Sequence, residues 1–418
     1  MSAVPTTPRG RVDDGLRERA RKVVPGGVYG HLSVNKMPAG YPQFWARGEG
    51  ARIWDVDGNE YVDLMCSFGP ILLGHAHAKV DAAFTAALEG GDVFNGPAPV
   101  MVDLAERLVD NVPHADWVMF AKNGNDVTQL GLVVARAATG RKKVLMARGS
   151  YHGIGGWSLG ANAQGFTPQD HANTVFFEYN DLASVESALA IAGDDDVAAI
   201  VVTPIRHDVF RDLEDPTPEF ARGLRALCDK IGAALIVDDV RCGLRIDTRG
   251  SWEALGVRPD LSAWSKSLAN GHALAALMGA EPLREAATNV YATGSFWMAG
   301  APMAAAMATL DELEESDGIA TMAASGRRLQ DGLREQGTAH GLTVSVTGPP
   351  SLPFLSFADD PEWEKAALWS SHCAQNGVYL HPVHNWFVST AHDDATIDRA
   401  LEGIDAAFAA VRAEHGAG

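Results

Sequence analysis

The sequence predicts an α/β protein: one large, mostly parallel sheet domain followed by a smaller C-terminal α+β domain. Three observations lead there. From about Val102 to Met278, short β-branched runs alternate with segments of helical periodicity, which is what a parallel sheet covered on both faces requires. After about Ser295 that order gives way to long Ala-rich helical stretches, short strands and a final helix. A chain of 418 residues, 46% hydrophobic and 21% charged, can also build two or three domains with sizeable cores. The expected divisions are an N-terminal segment over 1–60, the large domain over 61–292 and the small domain over 293–418.

Taken in order, residues 51–55 and 60–64 flank Asp57-Gly58, which predicts a hairpin with a two-residue type I′ turn. Strands of the large domain are expected at 117–120, 143–146, 174–177, 198–202 and 234–238, with helices between them that include 126–139 and 218–231. The C-terminal part reads as helices over 302–315, 319–336 and 394–412. Lys and Arg number 34 against 53 Asp and Glu, a net charge of −19, so a polyanion such as nucleic acid would be repelled. Cys66, Cys228, Cys242 and Cys373 show no CxxC spacing, which suits a reducing cytoplasm. The charged stretch 1–24 does not read as a signal peptide, and no apolar run reaches bilayer length. A cytoplasmic enzyme with no membrane partner is the expectation.

Chemistry concentrates around Lys266. The apolar run 233–237 ends on Asp238 and Asp239, and Ser265-Lys266-Ser267 follows 28 residues after Asp238. A lysine downstream of a strand that delivers an acid suggests pyridoxal phosphate. The lysine would hold the cofactor aldehyde as a Schiff base, and Asp238 would keep the pyridine nitrogen protonated. The phosphate needs its own grip, because the aldehyde is exchanged at each turnover. Residues 117–120 run into Ala121-Lys122-Asn123-Gly124-Asn125-Asp126 and then a helical pattern. A glycine turn at a helix N-terminus aims backbone N–H groups at an anion, so Gly124 and Asn125 are the phosphate candidates. Tyr151, after the strand 143–146, can stack on the ring. Each feature alone has a plain reading: an ordinary capped loop, a surface tyrosine, a solvated lysine. Asp238-Asp239 could instead hold Mg²⁺, though no phosphate-binding lysine loop accompanies it. The acidic spacing at Asp55, Asp57 and Asn59 and the histidines His75, His77, His381, His384 and His392 lack metal-ligand patterns, so no metal is expected.

The ordered set of phosphate loop, aromatic, acid and lysine resembles the class III pyridoxal phosphate aminotransferases of fold type I, in particular the branch around glutamate-1-semialdehyde aminomutase. The resemblance runs from Val24-Pro25-Gly26-Gly27-Val28 through Asp55-Val56-Asp57-Gly58-Asn59, Ser67-Phe68-Gly69-Pro70, Gly74-His75-Ala76-His77 and Asn123-Gly124-Asn125-Asp126. It continues through Tyr151-His152-Gly153, Leu235-Ile236-Val237-Asp238-Asp239-Val240 and Lys266. It implies that Gly124 and Asn125 bind phosphate, that Tyr151 stacks with His152 beside it, and that Asp238 pairs with the ring nitrogen. Val240 would pack on the opposite face, and Lys266 would be both Schiff base and general base. Ser295, in Gly294-Ser295-Phe296-Trp297, would touch the phosphate of the neighbouring subunit, which makes a homodimer with shared active sites the expected form.

Departures from the pattern fall on the substrate side. Ser33 stands where aminomutases of this type carry a carboxylate-binding arginine, Phe68 where a tryptophan is usual, and Thr203-Pro204 where Glu-Pro is usual. Arg206 and His207 follow, and His384-Asn385-Trp386 falls near a missing glutamate. Ser33, Phe68, Arg206, His207, His384 and Trp386 are therefore the candidate substrate residues. Without the arginine, a bidentate grip on a carboxylate is lost. An aminotransferase moving an amino group from an amine donor to an unusual carbonyl acceptor, such as an oxo sugar or a secondary-metabolite intermediate, is the expected activity. An aminomutase, epimerase or racemase is the alternative.

Overall fold

The computed structural model describes residues 11–159 and 163–416. The chain forms two compact units: 1–77, 209–212 and 320–418 make the first, and 78–208 with 213–319 the second. The three divisions expected from the sequence follow chain order. Contacts instead join the N-terminal residues to the C-terminal ones.

In the first unit, helix α1 (Arg11–Val23) precedes strands β1 (Trp45–Glu49), β2 (Arg52–Asp55) and β3 (Glu60–Asp63). The β2–β3 hairpin forms as expected, but its turn differs. Gly58 alone is left-handed (φ +89°), with Gly58 N–H donating to Asp55 O and Asp55 N–H to Asn59 O. That is a three-residue loop closed by a glycine bulge, because type I′ needs two left-handed residues and Asp57 is not one.

The second unit is built on seven strands in the order β4-β10-β9-β8-β7-β5-β6. Helices α2 (Ala78–Glu89) and α3 (Val100–Asn111) lead to β4 (Trp117–Ala121), α4 (Gly124–Thr139), β5 (Lys143–Ala147), β6 (Thr174–Phe177), α5 (Leu182–Ala192), β7 (Val197–Val202) and α6 (Pro218–Ile231). Next come β8 (Ala234–Asp238), β9 (Leu261–Trp264), β10 (Ala275–Gly279), α7 (Arg284–Asn289) and α8 (Gly300–Glu315). Only β10 runs antiparallel to its neighbours β4 and β9. Side chains alternate across the sheet, as the two-residue strand period dictates. From β8, Ala234 and Ile236 enter one apolar cluster with Val127, Leu130 and Val134 of α4, while Leu235 and Val237 enter the other with Val185 of α5 and Leu224 of α6. A sheet buried on both faces explains why these strands read as continuous apolar runs.

The first unit is completed by most of α9 (Gly318–Ala339), the β11 (Val344–Thr347) and β12 (Phe354–Phe357) pair, α10 (Glu364–Gln375), β13 (Val378–Tyr379) and α11 (Asp394–His415). β13 joins β3 in parallel. Among the described residues, no helix is long and apolar enough to cross a membrane.

Candidate active site

Strands β4, β5, β7, β8 and β9 all point the same way, so the loops leaving their carboxyl ends share one edge of the sheet, where α/β folds collect ligands. Five sequence segments arrive there. After β4 comes the N-terminus of α4, capped by Asp126, whose carboxylate accepts the Asn123 N–H at 2.9 Å. Gly124 opens the helix, and a Cβ on it would lie 2.7 Å from Val240 Cγ1. Glycine is what lets the helix tip, with its outward N–H groups, approach the loop after β8.

The loop after β5 is lashed to that tip. Asn125 Oδ1 accepts the Ile154 N–H at 2.8 Å, and the Thr128 hydroxyl donates to the His152 carbonyl at 2.7 Å. This sets Tyr151 at the edge with 52% of its surface exposed, while His152 is buried. His152 Nδ1 lies 2.7 Å from Asp238 Oδ2, and Asp238 Oδ1 accepts the Val240 N–H at 3.1 Å. A buried carboxylate costs several kcal/mol unless it is paired, and the histidine and amide offset that cost. Trp157 stacks on the His152 ring at 5.9 Å. Nε2 of His152 is buried with no hydrogen-bond partner.

Lys266 follows β9 on a left-handed backbone (φ +38°), a strained geometry for a side-chain-bearing residue and one that clusters at functional sites. Burial, together with the positive charge of Arg241, pushes its amine down to about 7 against the pull of Asp238. Near neutral pH a large share of Lys266 is therefore an uncharged nucleophile. Arg241 is 9% exposed, and burial lowers its guanidinium to about 10. It lies three residues beyond Asp238 and was not among the residues expected from the sequence. Its only signal there was a charge inside an otherwise strand-ending run. The neighbouring Asp239 carboxyl is raised by burial to about 7, with the Ser251 hydroxyl and N–H as its donors.

The substrate candidates separate. Arg206 is buried in an ion pair, its Nε 3.0 Å from Asp208 Oδ2, so its charge is already matched. His207 is buried, and desolvation followed by the Arg241 charge takes its imidazole well below the usual range. Ser295 is exposed on the second unit. In the first unit, Ser33 and Phe68 line one cavity of about 330 Å³, and His384 meets Phe68 edge-on at 5.3 Å. Trp386 is fully buried, stacked on Trp369 at 5.6 Å, with its indole N–H donating to His381 O.

Phe68 belongs to an unusual turn. Cys66, Ser67 and Phe68 are all left-handed (φ +45°, +56° and +63°), followed by Gly69 at +111°. Three such residues cost roughly 1–2 kcal/mol each. Asp63 braces the turn by accepting the Met65 and Cys66 N–H groups at 2.9 and 3.0 Å, and His75 Nε2 sits 2.7 Å from its other oxygen.

The donor set at the edge of the large sheet suits pyridoxal phosphate. It has a helix N-terminus opened by a glycine, an exposed aromatic ring, a buried carboxylate backed by a histidine, and a lysine partly freed of its proton. Fold and site together define an α/β enzyme of the pyridoxal phosphate kind. The family model described as Aminotransferase class-III matches residues 35–408. The chain is 46% identical to the aminopentol aminotransferase of Sphingopyxis macrogoltabida, covering 95% of this chain and 93% of that protein. It is 33% identical to the glutamate-1-semialdehyde 2,1-aminomutase of Bordetella avium (strain 197N), over 95% of this chain and 99% of that one. The solved structure of the PLP internal aldimine form of Sphingopyxis sp. MTA144 FumI protein matches with a TM-score of 0.94 at 45% identity, covering 96% of this chain and 97% of that chain. The chain belongs to the class III aminotransferases: it is a pyridoxal phosphate enzyme of fold type I.

Proposed function

We propose that this aminotransferase takes its amino group from, or gives it to, a hydroxylated carbon chain with no carboxylate beside the reacting carbon. The observation that carries this reading is the pairing of a retained cofactor site with a rebuilt substrate side. A lysine amine lowered to about 7 and a buried carboxylate, Asp238, support the cofactor half of the reading, while Ser33, at the position where the resemblance expects a carboxylate-binding arginine, and Arg206, paired with Asp208, support the other half. The relative named for aminopentol, an amine bearing five hydroxyls by its name, points the same way.

When bound, pyridoxal phosphate supplies an aldehyde that condenses with amines and a ring that draws electrons from the adjoining carbon. The chain's own residues do the rest. First-turn N–H groups at Gly124 and Asn125 hold the phosphate. Tyr151 and Val240 enclose the ring, and Asp238, steadied by His152, fixes the ring nitrogen. Lys266 Nζ takes a proton from one carbon and returns it to another, a task that suits an amine whose affinity for protons is lowered to about 7.

The working unit is a homodimer in the cytoplasm. Tyr291, Phe296 and Met298, which flank Ser295 in the sequence, are 40–90% exposed, and a second copy of the chain would cover such residues. Ser295 would then reach the partner's phosphate. Four buried, unbridged cysteines fit a reducing compartment.

An absorption spectrum of the purified protein, followed as amines are added, tests the reading. Wild type should show the yellow of lysine-bound cofactor and bleach with a hydroxylated amine. Lys266→Ala should lose that band and at least about a thousandfold of transfer activity. A colourless wild type, or strict dependence on amino acids bearing a carboxylate at the reacting carbon, would count against it.

A further inference from the structure

One face of α4 holds the loop that follows β5. Asn125, Thr128 and Gln129 stand at i, i+3 and i+4, so they project from the same side of the helix. Asn125 Oδ1 accepts the Ile154 N–H, the Thr128 hydroxyl donates to the His152 carbonyl, and Gln129 Oε1 accepts the Trp157 indole N–H at 2.9 Å. Two glycines permit so close an approach. A Cβ on Gly153 would lie 2.5 Å from Asn125 Oδ1, and one on Gly155 would lie 2.9 Å from the Trp157 indole nitrogen. From β6, the Thr174 hydroxyl donates to the Trp157 carbonyl at 2.9 Å.

Trp157 is thereby fixed at both its backbone and its ring. It is buried in the apolar cluster shared by α4 and the sheet. Its indole lies nearly parallel to the His152 imidazole, with 11° between the planes and 5.9 Å between the centroids. His152 in turn has its Nδ1 2.7 Å from Asp238 Oδ2, while its Nε2 makes no hydrogen bond. An ionised carboxylate only accepts, so the proton between them belongs to Nδ1. One hydrogen bond at one edge does not set the tilt of a ring. The flat indole along its face does.

Helix α4 therefore serves two places at once. Its tip presents the first-turn N–H groups of Gly124 and Asn125, and one turn later its side carries Gln129, which holds Trp157, which lies against His152, which meets Asp238.

We propose that Trp157, anchored to α4 by Gln129, is a positioning residue for amino transfer: it holds the His152 imidazole so that Asp238 keeps one fixed place at the cofactor's ring nitrogen. This role rests on the reading of Asp238 given above. Placement of this kind matters to rate, since an error of ~1 Å can cost about a hundredfold.

Reconstitution with pyridoxal phosphate carrying ¹⁵N in its ring tests the role, because the NMR shift of that nitrogen reports its protonation apart from any turnover. In Trp157→Leu, which fills much of the volume without a flat ring, the resonance should move from the protonated position toward the unprotonated one. Its kcat should fall about tenfold, with KM for the amine changed by less than about threefold. Trp157→Phe keeps a flat ring and should recover most of both. Gln129→Leu should move both in the same direction, by about threefold in kcat. A folded Trp157→Leu with an unmoved resonance, or a Trp157→Phe as impaired as Trp157→Leu, would overturn the positioning role. Asp238→Asn separates this role from the reading beneath it. If Asp238→Asn leaves the resonance at the wild-type position, Asp238 does not act on the ring and both fall. If it moves the resonance and Trp157→Leu does not, only the role of Trp157 falls.

Discussion

The loops at the edge of the large sheet and the Phe68 cavity handle charge in opposite ways. Around Lys266, ionisable groups crowd into a buried space and desolvation shifts each of them: Lys266 falls to about 7, Arg241 to about 10, and Asp239 rises to about 7. Around Phe68, charges are matched to near neighbours, and what faces the cavity is rings, hydroxyls and neutral imidazole. Moving protons requires charge held uncompensated at a fixed place.

The largest effect expected from breaking this contrast is at Asp238. Asp238→Asn keeps the shape and a hydrogen bond to His152 but removes the anion that would keep the cofactor ring protonated. Transfer activity should fall by about a hundredfold or more, with the fold unchanged. A loss smaller than about tenfold in kcat would mean that Asp238 does not act on the ring.

Asp63 is the corresponding anion of the neutral region, and its role there is structural. Asp63→Ala leaves the buried Met65 and Cys66 N–H groups without their acceptor and His75 without its carboxylate. The expected cost is about 2–4 kcal/mol, read from denaturant unfolding. A change below about 0.5 kcal/mol would mean the turn holds itself.

The sequence made the first region far more legible than the second. Its residues lie where sequence order is geometry: in an α/β sheet each chemical group follows a strand, and β5, β7 and β8 were expected within a residue or two of where they end. The Gly124 turn and the Asp238 carboxylate each broke an apolar pattern and so stood out. Arg241 did not, because a charge just past a strand end reads as solvated until neighbouring loops bury it. The turn at Cys66–Phe68 was invisible for the opposite reason. Left-handed backbone is normally announced by glycine or asparagine, and here only Gly69 carries that mark.

Arg241 offers the finest probe of the contrast, since its charge is the largest coulombic influence on Lys266 and a polar residue of similar length can replace it. Burial and the Arg241 charge both lower the Lys266 amine. Arg241→Gln removes the second of these and should raise Lys266 from about 7 by roughly one unit. At pH 7 the uncharged fraction falls accordingly, so recombination of the apoenzyme with pyridoxal phosphate should slow, and its acid limb should move to higher pH by the same interval. The stability of the apoenzyme gives an independent reading. Between about 7 and the unfolded value near ~10.4, the unfolded chain binds more protons at this lysine than the folded one, so stability rises with pH across that window. In Arg241→Gln the window narrows from its acid end. An unmoved acid limb, together with an unchanged stability slope between pH 7 and 8, would show that the Arg241 charge does not set the lysine.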